Sequence, residues 1–130
     1  MAGHKLKLIL HVEDNLENRN LVRRLLISDG YDVLDAVNAH QANKLLENNS
    51  PDLILMDINM PDVDGYTFTA DLKTRSSLQQ VPIVAITANV MRGDRERVFK
   101  SGCNGYIEKP IDVDRFLDQI ADFLAQPKRI

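Results

Sequence analysis

Five short apolar runs recur along the chain: Leu6 to Val12, Tyr31 to Ala36, Asp52 to Met56, Val81 to Ile86 and Gly105 to Ile107. Most are rich in Val, Ile or Leu, the pattern of strands covered on both faces. Between them apolar residues return at helical spacing. Leu21, Val22, Leu25 and Leu26 form one set, Ala42, Leu45 and Leu46 the next, then Phe68 with Leu72, then Val90, Met91 and Val98. The last set, Val113, Phe116, Leu117, Ile120, Ala121 and Leu124, is the cleanest amphipathic pattern of all.

The punctuation agrees with these elements. Asp29-Gly30 stops the first helix, Ser50-Pro51 precedes the third strand and Ser101-Gly102 closes the fourth helix. Asn38 and Asp112 stand where N-caps belong. Five alternations of strand and helix predict an α/β fold of (βα)5 type: a doubly wound, parallel, five-stranded sheet with helices on both faces, flavodoxin-like in class. Residues 1–130 read as one domain with a core from about 5 to 125, with no repeat and no interdomain linker. The tail from Gln126 to Ile130 reads as frayed, either a cut point or a native end.

Composition narrows the class. Apolar residues at 44% and charged residues at 27% describe a globular chain with a true core. The apolar runs fall far short of the ~20 residues of a spanning helix, and no signal-peptide pattern opens the chain, so a cytoplasmic protein is expected. Cys103 is the single cysteine, which excludes an intrachain disulfide and marks it as a small core residue. Net charge is −3, and Arg92, Arg95, Arg97 and Lys100 are interleaved with Asp94 and Glu96, so nucleic acid is not an expected direct partner.

In a parallel sheet the residues just past the strand ends gather along one edge, where ligands bind. That rule brings together Glu13 and Asp14 after the first strand, Asp57 after the third, Thr87 after the fourth and Lys109 after the fifth. Each has an ordinary reading alone: a solvated acidic loop, an Asx turn over Asp57-Ile58-Asn59, a helix cap at Thr87, a surface lysine at Lys109. Their joint placement at four strand ends favours chemistry. Clustered carboxylates repel unless a cation neutralises them, and oxygen-only ligands with room for water suit Mg²⁺. Lys109 and Thr87 would then face a phosphoryl group, completing the parts that phosphoryl transfer requires.

The stretches Val12-Glu13-Asp14-Asn15, Leu55-Met56-Asp57-Ile58-Asn59-Met60-Pro61, Ile86-Thr87-Ala88 and Tyr106-Ile107-Glu108-Lys109-Pro110 resemble the receiver domains of bacterial response regulators. The resemblance runs from about Lys5 to Ala125. It implies that Asp57 accepts phosphate from a histidine kinase or phosphotransfer protein, and that Asp14, Asp57 and the backbone carbonyl of Asn59 bind Mg²⁺, with Glu13 helping directly or through water. Many members carry Asp where this chain has Glu13. By the same resemblance Thr87 and Tyr106 form a switch pair, Lys109 holds the phosphoryl oxygen with its bond to Pro110 cis, and Asn59 and Asn89 flank the water that attacks the acyl phosphate beside the small Ala88.

A signalling switch is therefore expected, one that reads out to a downstream protein through the face of the fourth helix, fifth strand and fifth helix, with no membrane and no nucleic acid involved. A receiver excised from a hybrid histidine kinase is an alternative, as is a pseudo-receiver, which the presence of Asp57 and Lys109 disfavours. An enzyme or flavin binder on the same fold is opposed by the acidic first loop and by the lack of a segment long enough for a cap domain. Gly65 is expected to serve a turn or a close backbone approach. His11 is expected in the core or at an edge, and His4 and His40 at the surface; none is a convincing phosphodonor or ligand.

Overall fold

In a computed structural model of the chain, describing residues 6–60, 64–88 and 94–125, the five strands pair in the order β2-β1-β3-β4-β5. They are β1 (Leu8–Val12), β2 (Asp32–Ala36), β3 (Leu53–Asp57), β4 (Ile83–Thr87) and β5 (Gly105–Glu108), and every pairing is parallel. Helices α1 (Leu16–Ser28), α2 (Ala39–Asn48), α3 (Gly65–Lys73), α4 (Asp94–Lys100) and α5 (Val113–Ala125) follow the strands in turn. The order is that of a flavodoxin-like α/β fold, and it agrees with the expected alternation.

Side chains alternate across each strand, which splits the core into two layers. Ile9, Leu53, Leu55, Val84 and Ile86 face Val22 and Leu26 of α1 with Phe116 and Ile120 of α5. Leu10, Ile54, Met56 and Ala85 face Ala42 of α2, Phe68 and Leu72 of α3 and Val98 of α4. Strands so covered on both faces must be apolar at nearly every position, which is why they read as continuous runs.

The caps fall where the sequence placed them. Asn38 Oδ1 accepts from Gln41 N at 2.8 Å and Asp112 Oδ1 from Asp114 N at 3.1 Å. Gly30 and Gly102 end α1 and α4 with φ of 90° and 104°, a region open mainly to glycine.

Strand bounds differ from expectation at several ends: Tyr31, Asp52, Val81 and Pro82 precede β2, β3 and β4, and β5 runs on to Glu108. Leu6 and Lys7 precede β1, because Asp52 Oδ2 accepts the Leu8 amide at 2.8 Å and starts the strand there. Asp57 and Thr87 are the last residues of β3 and β4 rather than residues past them, held in register with Ile86 and Glu108. Val113 opens α5 but is 52% exposed, since the helix buries only the stripe through Phe116 and Ile120. A 3-10 turn at Ser76–Leu78, with Leu78 buried, went unread in the sequence. Val90 and Met91 lie outside the described residues, as does His4.

Candidate functional site

The C-terminal edge of the sheet gathers the expected carboxylates. Glu13 and Asp57 are 1% and 2% exposed, Asp14 is exposed, and one carboxylate oxygen from each lies within 4.8 Å of the other two. Glu13 and Asp57 are aimed by local bonding. Glu13 N donates to Ala36 O, and Glu13 Oε2 accepts from Asn15 N at 3.2 Å. Asp57 Oδ1 accepts from Asn59 N at 3.1 Å, so the Asx turn and the site are one arrangement.

Lys109 enters from the end of β5, its backbone N donating to Thr87 O at 2.8 Å. Its Nζ lies 3.1 Å from Asp57 Oδ1 and 3.8 Å from Glu13 Oε1. The Lys109–Pro110 peptide bond is cis, as expected. Beneath the cluster Gly65 starts α3, where an added Cβ would stand 2.8 Å from Ile58 Cα and 3.1 Å from Asp57 O. Close backbone approach is thus what requires glycine there. Beside Glu13 and Lys109 a cleft of about 390 Å³ is lined largely by apolar residues, among them Leu21, Val22, Ile86 and Ile111.

Electrostatically the edge is short of positive charge. Burial, the hydrogen bond to Asp57 and the Asp57 charge together push the Glu13 carboxyl up to about 8, against smaller opposing effects of the Asn15 amide and the Lys109 ammonium. One ammonium does not compensate three carboxylates. An oxygen-only donor set with a deficit of cationic charge fits a hard divalent ion. A site of this kind would be held by Glu13, Asp14 and Asp57.

Thr87, 1% exposed, ends the neighbouring strand, and Tyr106 is half-buried on β5, next to Ala85 in register. The Tyr106 ring meets Phe99 of α4 edge-on, with centroids 6.5 Å apart and planes at 72°, and Arg95 Cζ stands 5.9 Å from its centroid.

The model of the response regulator receiver domain matches residues 9–121. This chain belongs to the response-regulator receiver family. Within it, the chain is 42% identical over 118 residues to the polar-differentiation response regulator DivK of Brucella anthropi, covering 91% of this chain and 96% of DivK. Among solved structures, a receiver domain of a sensor histidine kinase from Pseudomonas aeruginosa PAO1, with magnesium coordinated in its active-site cleft, is 34% identical at a TM-score of 0.84. The alignment covers 94% of this chain and all of that one. The chemotaxis response regulator CheY4 of Vibrio cholerae, 24% identical at a TM-score of 0.86 over 92% of this chain and 99% of that one, shares the fold.

As a receiver the chain is a DivK-like phosphoacceptor regulator of two-component signalling rather than a catalytic enzyme. No described helix is long and apolar enough to cross a membrane. The remaining candidates stay outside the receiver's site. His11 is fully buried on β1 with Nδ1 3.7 Å from Asp35 Oδ1, and His40 is exposed. Burial would raise the Asp35 carboxyl, but His11 and Arg23, the latter at 2.9 Å, outweigh it and hold the group below its ordinary value. Cys103 is buried, donating to Thr69 Oγ1 at 3.9 Å, and burial pushes its thiol up. Asn89 lies outside the described residues.

Two arrangements escaped the sequence reading. Arg19 folds back from α1 to the carbonyls of Glu13 and Asp14. Arg97 of α4 stands over the Tyr66 ring of α3 at 4.4 Å and 3.9 Å from Asp64 Oδ2. Neither leaves a sequence signal, because both join residues whose spacing belongs to no motif.

Proposed function

We propose that this receiver is a phosphorylation-controlled switch in which Asp57 takes a phosphoryl group from a histidine kinase or phosphotransfer protein. The observation that carries the reading is the buried Asp57 carboxylate, held 3.1 Å from the Lys109 ammonium and grouped with Glu13 and Asp14. A carboxylate oxygen of Asp57 forms the bond to phosphorus as the bond from phosphorus to the donor breaks, with that electron pair leaving on the donor. Bound Mg²⁺ supplies charge neutralisation for the incoming phosphoryl oxygens. Asp14, Asp57 and the Asn59 carbonyl would hold the ion, with Glu13 directly or through water. Lys109 and the Thr87 hydroxyl take the remaining phosphoryl oxygens.

Output follows from Thr87. Its bond to the new phosphoryl group, available only in the phosphorylated state, draws the end of β4 inward and lets Tyr106 turn toward the core. The face of α4, β5 and α5 then changes for a downstream protein. Asn59 and Asn89 would flank the water that ends the signal. Residues 1–130 act as a single unit in the cytoplasm on this reading, a stand-alone regulator of the DivK kind; the sensor-kinase receiver among its neighbours keeps a module of a hybrid kinase as the second reading.

Incubation with acetyl phosphate and MgCl2, followed by intact mass, tests the proposal. One phosphate is expected on the wild type, none on Asp57→Asn and none after chelation. Labelling that persists at the same rate in Asp57→Asn or without Mg²⁺ would overturn it.

A further inference from the structure

We infer that Arg19 is a positioning residue for the divalent-ion site, setting the Glu13-Asp14 loop through its carbonyls so that the two carboxylates face the ion; this rests on the metal-site reading above. Arg19 Nη1 donates to Glu13 O at 3.1 Å and to Asp14 O at 3.3 Å. A cation in the first turn of α1 opposes the helix dipole, so the position gains nothing from the helix itself. Helical side chains lean toward the N-terminus, which is how a residue of α1 reaches back five and six positions.

The rest of the loop explains why the bond matters. Glu13 is held three ways over, by burial, by its amide on Ala36 O and by its carboxylate on Asn15 N. Asp14 is exposed, so packing does not hold it in place. With the Asp14 carbonyl tied to Arg19, a carboxylate oxygen of Asp14 lies within 4.8 Å of those of Glu13 and Asp57. Charge and position here oppose each other. A cation near the site repels Mg²⁺, so if Arg19 acted as a charge, its removal would tighten binding; if it acts by positioning, removal weakens binding.

Titration of the labelled protein with MgCl2, followed at the Asp57 and Asn59 amides by NMR, separates the two. Arg19→Met is expected to raise the Mg²⁺ dissociation constant roughly tenfold, the low end of what outer-sphere partners contribute. Arg19→Lys, which keeps the charge but not the planar donor group, should weaken binding at least as much. Labelling by acetyl phosphate should be slowed in Arg19→Met at low Mg²⁺ and return to within about twofold of wild type at saturation, as for lost metal affinity alone.

Unchanged or tighter Mg²⁺ binding in Arg19→Met overturns the inference, and so does a labelling defect that survives saturation. Should Arg19→Met not fold, wild-type affinity in Arg19→Lys overturns it equally. Absence of Mg²⁺ binding by the wild type would instead sink the metal-site reading on which it stands.

Discussion

Lys109 Nζ stands 3.1 Å from Asp57 Oδ1, a pair made by residues 52 positions apart and only one-fifth exposed at its lysine end. The same ammonium stands 3.8 Å from Glu13 Oε1, and its charge lowers that carboxyl against the larger effects that raise it. Lys109→Met should therefore move the Glu13 titration further up, seen in the carboxyl ¹³C shift. It should also slow labelling by acetyl phosphate roughly a hundredfold, the scale for losing one fixed transition-state donor.

Glu13 gives a pH dependence of definite sign. In the metal-free fold it keeps its proton to about 8, whereas its ordinary value is 4.5. Between those values the native state binds more protons than the unfolded chain, so this contribution is fully present below 4.5 and lost as pH rises through about 8. The urea midpoint in EDTA should drop between pH 5 and pH 8.5, and Glu13→Gln should flatten the drop. Stabilisation by added Mg²⁺ should grow over the same window, because the ion binds the carboxylate. An equal slope in wild type and Glu13→Gln would count against the titration assigned to this residue.

Gly65→Ala should destabilise the fold by about 1–3 kcal/mol in urea unfolding, the range for overpacking. The atoms met by the new Cβ, Ile58 Cα and Asp57 O, are backbone and cannot swing aside. Because Asp57 itself would have to shift, labelling should slow as well; wild-type stability and rate together would show that the α3 start moves freely.

Thr87→Ala should still accept phosphate at Asp57 yet show smaller amide shift changes at Tyr106 and α4 than the wild type. Thr87 ends β4 in register with Glu108, two residues beyond Tyr106 on the neighbouring strand. Identical shift patterns in the two proteins would mean that the signal leaves by another route.

Among its described residues α4 buries only Val98, so its placement depends on contacts at its flanks. Arg97 on the Tyr66 ring is one of them. A double-mutant cycle of Arg97→Ala with Tyr66→Leu should return a coupling of about 0.5–1 kcal/mol, the value for an exposed cation–π pair. Additive effects would show that the two residues are neighbours without attraction.

The amino-acid sequence by itself determined the fold class and the gathering of three carboxylates at one sheet edge. Strands covered on both faces must be apolar throughout, and helices lying on a sheet must carry an apolar stripe, so both periods are written locally in runs such as Leu53–Met56 and Phe116–Ile120. Parallel strands then place their ends on one edge, which is what brings Glu13, Asp14, Asp57, Thr87 and Lys109 to the same side of the sheet. Strand order, register and side-chain reach were decided only in three dimensions. Asp35 meets His11 because β2 pairs with β1 in that register, and a one-residue slip would separate them. Arg19 and Arg97 meet their partners because long flexible side chains settle where carbonyls, a ring and a carboxylate happen to converge, a matter of packing between elements that no local spacing encodes.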